Sequence, residues 1–286
     1  MLQRQDILLQ EAPFPKSATV YQDDAISAKA YLLYFHGGGL LFGQRTDLPL
    51  FHIQRLTSAG YPIIALDYPL APAAKIDRIL SDVLSSIQFC LCSPLFQKAG
   101  PLPYFLFGRS AGAYLSLLAA ANASMLPVPP AGVLSFYGYG FLSDTWYETP
   151  AAFYQDLPLV SESCLHQIPS DIRCDGSLAE RYQLYVYARQ SGRWKSLFYE
   201  GREKYFLSLY SLRLCEQLPC PLFCAHSTED PDVPFAEFTL LSQRYAPERL
   251  VVSRALHDFD RNVDDLVTAE LLDTAIRFCG NALDRS

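Results

Sequence analysis

Short apolar runs punctuate the chain at 31–35, 61–66, 104–107, 131–137, 221–226 and 249–253. The first three, solid rather than alternating, predict strands buried on both faces, and the other three predict further strands of the same sheet. Residues 6–35 instead alternate apolar and polar before the first solid run, which predicts antiparallel edge strands leading into the sheet. Helical patterns lie between the runs, at 75–91, after residue 110, at 234–245 and at 264–279. The strand, helix, strand rhythm from 31 to 137 predicts a parallel sheet covered by helices on both sides.

That rhythm breaks after residue 138. The stretch 139–218 is crowded with aromatic residues, and Ser177 to Glu180 reads as a capping box that starts a helix ending at Ser191-Gly192. An insertion this long between strands, with helices of its own, predicts a cap. The expected division is a core of 1–138 and 219–286 with a cap insertion of 139–218. Most of the aromatics are expected to pack the cap, and a minority to face a ligand.

Chemistry enters at the turn after the run 104–107. Gly108-Arg109-Ser110-Ala111-Gly112 is a G-x-S-x-G pattern between a buried strand and an alanine-rich helix, the setting in which a serine projects alone from a tight corner. Flanking glycines let the two backbones pass without a Cβ clash, so Ser110 is the candidate nucleophile. Upstream, His36-Gly37-Gly38-Gly39 follows the strand at 31–35 and can turn backbone N–H groups toward an oxyanion. Downstream, the loop after 221–226 carries Asp230 and Asp232. Asp232 stands just ahead of Pro234 and is expected to cap the next helix; Asp230, nearer the strand end, is the expected acid. His257 follows the last strand and is the expected base, in the chain order Ser, Asp, His. A serine needs a base to take its proton during attack, and an acid that orients the imidazole and stabilises the imidazolium. Asp67, which precedes the nucleophile, is expected to hold loop amides.

Half of the 286 residues are apolar, enough for a large core. A formal charge of −7 argues against nucleic acid as a partner, because phosphate binding rests on clustered Lys and Arg. No run of 18 apolar residues predicts a membrane span, and the N-terminus lacks the pattern of a signal peptide. The eight cysteines are scattered without zinc-ligand spacing, so reduced, mostly buried thiols and a cytoplasmic location are expected.

Taken together, His36 to Gly39, Asp67-Tyr-Pro-Leu-Ala-Pro72, Gly108 to Gly112, Asp230 to Pro234 and His257 to Phe259 resemble the α/β-hydrolase fold, most of all the hormone-sensitive-lipase-like carboxylesterases. The resemblance spans about residues 31–279. It implies an α/β-hydrolase core with a helical cap, oxyanion donors at Gly38, Gly39 and Ala111, and a His36 that shapes the glycine loop without proton transfer. It also implies hydrolysis of small, short-acyl esters through Ser110, His257 and Asp230, without a metal or organic cofactor. The chain departs from the family in having Arg109 where an acid is usual before the serine, Pro69 where Arg is frequent, and a cap after the strand ending at 137. Arg109 is expected to bond cap or loop carbonyls. Alternative readings on the same residues are a peptidase or amidase, a deacetylase, or a hydrolase-shaped protein that binds without turnover.

Overall fold

The computed structural model describes residues 1–94, 101–253 and 256–285. Its sheet has eight strands: β1 (Leu2–Gln10), β2 (Lys16–Asp23), β3 (Tyr31–Phe35), β4 (Ile63–Leu66), β5 (Tyr104–Arg109), β6 (Gly132–Phe136), β7 (Leu222–Ser227) and β8 (Glu248–Val252). The order across the sheet is β1-β2-β4-β3-β5-β6-β7-β8. Pairing is antiparallel from β1 through β2 to β4 and parallel everywhere else. The alternating segment thus forms one edge hairpin, the solid runs from 31 to 226 form the interior, and β8, with Arg249 and Val251 exposed, forms the other edge.

The period of two explains how solid apolar runs serve two cores. Leu33, Phe35, Ile64, Leu66, Leu106 and Val133 join one apolar cluster, while Leu32, Tyr34, Ile63, Ala65, Phe105, Phe107, Leu134 and Phe136 join the other. Helices α2 (Ile76–Cys92) and α3 (Ala111–Ala121) bury their apolar residues in the first cluster; α1 (Leu50–Ser58) buries Ile53 and Leu56 in the second. Helix α3 is buried from Ala111 to Ala120, and its alanines let it lie close to the strands.

Between β6 and β7 lie α4 (Ala152–Gln155), α5 (Leu178–Ser191), α6 (Trp194–Phe198) and α7 (Glu203–Leu209). Ser177 and Glu180 make the reciprocal capping box of α5, and Gly192 ends it with φ +70°. This insertion is fastened to the core by α8 (Phe235–Tyr245). The buried carboxylate of Glu237 accepts hydrogen bonds from the amides of Gly140, Phe141 and Ser143 and from Trp146 Nε1 at 2.7–3.2 Å. Last comes α9 (Leu266–Leu283), capped by Asp265 and longer than the sequence pattern predicts. Its extra turn, residues 280–283, buries Ala282 against the second core. All eight cysteines are free thiols, and five of them are buried. No helix among the described residues is long and apolar enough to cross a membrane.

Candidate active site

The corner between β5 and α3 forces Ser110 into φ +53°, ψ −118°, a conformation that L side chains rarely adopt. A Cβ at Gly112 would lie 2.0 Å from the carbonyl oxygen of Phe35, and one at Gly108 would lie 2.1 Å from the Gly112 backbone. Only glycine permits that close passage. The Ser110 amide donates to Phe136 O (2.9 Å), and its carbonyl accepts from Tyr114 N (3.0 Å), so the strained residue is held from both sides. Strain of this kind stores about 1–3 kcal/mol and persists only where neighbours over-determine it.

Three loops from the same end of the sheet meet above this serine. His257 Nε2 stands 2.8 Å from Ser110 Oγ, and His257 Nδ1 stands 2.6 Å from Asp230 Oδ2. A carboxylate only accepts, so Nδ1–H donates to Asp230 and the neutral ring leaves Nε2 free to accept the serine proton. Asp230 is itself held by the amides of Asp232 (2.8 Å) and Val233 (2.9 Å) on its other oxygen. Burial alone would lower the His257 pKa, but the Asp230 charge and hydrogen bond, helped by Asp232 and Asp258, push it up to about 9. Burial would raise that of Asp230, yet the His257 charge and hydrogen bond hold it below the usual carboxylate value. The structure therefore brings Ser110, His257 and Asp230 together in one hydrogen-bonded line.

The glycine loop borders the same hydroxyl. Gly38 and Gly39 have φ +95° and +59°. Among the described residues, their amides and that of Ala111 donate to no other protein group. His36 is fully buried, stacked on Tyr68 with ring centroids 4.2 Å apart, and its Nδ1 lies 2.8 Å from Gly37 O. Tyr68 OH donates to the carbonyls of His36 and Gly37, so the Asp67-Tyr68 segment supports the loop from beneath. From the other side, Trp194 Nε1 donates to Gly39 O (2.8 Å), and the Tyr185 ring closes on Gly39 so tightly that a Cβ there would fall 2.2 Å from it. The insertion thus braces the glycine loop directly.

A cavity of about 460 Å³ opens above Ser110, lined by Gly38, Gly39 and His257 and walled by Phe42, Phe153, Tyr154, Tyr182 and Tyr185. Its size lies within the usual range for small-molecule sites. A second cavity of about 420 Å³ lies at the opposite, N-terminal end of the strands, beside Pro221 and Glu248. It has no nucleophile–base pair. Among the described residues no group of three or more His, Cys, Asp or Glu side chains is arranged to hold a metal ion.

Residues 32–170, from β3 into the insertion, match the family model described as the alpha/beta hydrolase fold. The chain has the α/β-hydrolase fold. An alpha/beta hydrolase superfamily protein from Enterococcus faecalis is 28% identical to it, with a TM-score of 0.82 over 98% of each chain. A hyperthermophilic esterase from the archaeon Pyrobaculum calidifontis, at 16% identity, shares the fold with a TM-score of 0.69 over 99% of this chain and 83% of its own. Among curated proteins, the non-reducing polyketide synthase Preu3 of Preussia isomera is 27% identical over 168 residues, or 54% of this hydrolase. The hydrolase spans 6% of the length of that relative.

Two expectations from the sequence are corrected in the hydrolase. Asp232 caps no helix, since α8 begins after Pro234 without a side-chain cap. Its carboxylate instead accepts from Tyr185 OH (2.8 Å), stands 3.3 Å from Arg189 Nε, and lies 3.8 Å from His257 Nε2. Partners from the insertion outcompete the local amides. Arg109 does not bond carbonyls either: fully buried, it donates to Tyr137 OH (2.5 Å) and to Asp260 Oδ1 (2.8 Å). Asp67 does hold an amide, that of Ser17 (2.9 Å), but its main partner is Arg45. Tyr68, Tyr137, Tyr185, Trp194 and Asp260 were not singled out for the site by sequence. The strand-end position of Tyr137 and the single-residue gap between Asp258 and Asp260 were the available signals.

Proposed function

We propose that this hydrolase is a serine carboxylesterase acting on small, short-acyl esters. The observation that carries the reading is the line Asp230–His257–Ser110, with contacts of 2.6 and 2.8 Å, beneath an aromatic cavity. In this mechanism His257 takes the Ser110 proton as Oγ attacks the ester carbonyl. The tetrahedral oxyanion is held by the amides of Gly38, Gly39 and Ala111, where each donor is worth roughly 100- to 1,000-fold in rate. The imidazolium then protonates the leaving alcohol, giving an acyl-enzyme, and the same histidine activates the water that releases the acid. Asp230 keeps the ring in the required tautomer and stabilises its positive form.

The cavity argues for a modest substrate. Phe42, Tyr182 and Tyr185 leave room for a short acyl group or a flat alcohol, and the brace from Trp194 and Tyr185 keeps the glycine loop close to the serine. The test is turnover of p-nitrophenyl acetate and butyrate by the natural chain beside Ser110→Ala. Hydrolysis by the first and not the second supports the reading; equal rates remove Ser110 from the mechanism.

A further inference from the structure

At the floor of the candidate site lies a buried charge cluster that the proposed chemistry does not use, with Arg109 and Tyr137 lining the cavity beside Ser110. Asp260 is completely buried in the turn Phe259–Arg261, three residues beyond His257. Its Oδ1 accepts from Arg109 Nη2 (2.8 Å) and Tyr137 OH (2.8 Å), and its Oδ2 lies 2.9 Å from His52 Nε2. Arg109 adjoins the nucleophile at the end of β5, Tyr137 follows β6, and His52 sits in α1. The Tyr137 ring also packs edge-on against His257, with centroids 4.8 Å apart. Burial opposes the charge on Asp260, but Arg109 and His52 outweigh it and hold the carboxyl well below its usual range. An ion pair so buried gives a folded chain little net stability over an apolar packing of the same volume. What it does give is a fixed point: three elements of the sheet layer grip one carboxylate on the loop that carries the base.

We propose that Asp260 is a positioning residue, held by Arg109, Tyr137 and His52, which anchors the loop bearing His257 over Ser110. The consequence for reaction rests on the esterase reading, whereas the anchoring itself does not. Without the anchor His257 has to reach Ser110 Oγ and Asp230 from a loose loop, and a misplacement of about 1 Å costs roughly 100-fold in rate.

The test compares the natural chain with Arg109→Met/Asp260→Ala, which removes the Arg109–Asp260 ion pair whole rather than half of it. A second variant, Arg109→Met/Asp260→Asn, keeps an acceptor for Tyr137. Two readouts are needed: kcat and KM for p-nitrophenyl acetate, and the low-field proton resonance of the His257 Nδ1–H bond to Asp230. The anchor predicts that the alanine variant melts cooperatively, loses or broadens that resonance, and drops kcat about 10- to 100-fold with KM within about threefold. The asparagine variant recovers part of both signals, which a loss of general stability does not explain, and it carries the test if the alanine variant does not fold. A folded variant with the resonance intact and kcat within about twofold overturns the proposal. If the natural chain hydrolyses no ester, the esterase reading fails by itself and the resonance alone decides the anchor.

Discussion

The basicity of His257 makes a prediction that separates its neighbours from one another. With a pKa of about 9, the imidazole is mostly protonated at neutral pH, and only its neutral form can take the Ser110 proton. The neutral fraction at pH 7 is roughly one hundredth, so kcat/KM should climb about tenfold per pH unit and level off only above about pH 9. Asp232, 3.8 Å from Nε2, contributes to that shift. Two unit charges at that distance interact by roughly 4 kcal/mol at an effective dielectric of about 20. Arg189, 3.3 Å from the same carboxylate, and solvent at the mouth of the cavity offset part of this; with on the order of 1 kcal/mol left, the effect is just under one pH unit. Asp232→Asn should therefore move the limb down by about that much and raise activity at pH 7 several-fold. Asp230→Asn should instead lower kcat on the high-pH plateau by about 10⁴, because the imidazole then loses its orienting acid. The assay is kcat/KM for p-nitrophenyl acetate across about pH 6 to pH 10, with melting curves to confirm folding. A limb near pH 6.5 that Asp232→Asn leaves in place refutes the electrostatic reasoning; loss of turnover in Asp232→Asn alone reverses the assignment of the acid.

Other substitutions address the supports of the site. Gly39→Ala places a methyl 2.2 Å from the Tyr185 ring at φ +59°, so kcat should fall roughly 100-fold or more, and a change under threefold contradicts the placement of the loop. Trp194→Phe keeps the aromatic stack but deletes the hydrogen bond to Gly39 O; about a 10-fold loss in kcat at unchanged KM is expected, and an increase in KM alone points to the cavity wall instead. His257 also links pH to stability. Its pKa in the folded chain, about 9, lies above the unfolded value of 6.5, so its contribution of about 3 kcal/mol is fully present below pH 6.5 and lost as pH rises through 9. The urea-unfolding gap between the natural chain and His257→Gln should narrow by that amount over the interval, and a constant gap contradicts it.

The parts of this molecule that follow from local pattern were legible in its sequence. Solid apolar runs marked the interior strands because parallel strands are buried on both faces, and the capping box at Ser177 marked α5 because both of its bonds lie within one turn. The tight corner at Ser110 was legible from the glycines on either side. Contacts between distant segments were not. Asp260 pairs with His52 across 208 residues and with Arg109 across 151, and no periodicity links such positions. Asp232 looked like a helix cap from its spacing to Pro234, but spacing does not register that Tyr185 and Arg189 approach it from the insertion. In the same way the aromatic stretch was visible as an insertion between strands, while the use of Trp194 to hold Gly39 O was not.

The proposed mechanism requires that Ser110 become acylated. Mass spectrometry of peptides from protein quenched in acid during turnover of p-nitrophenyl butyrate detects that acyl-enzyme. One butyryl group is expected on the peptide containing Ser110, formed at a rate that matches the release of nitrophenol and absent from Ser110→Ala. Turnover without that adduct, or with the acyl group on another residue, contradicts it.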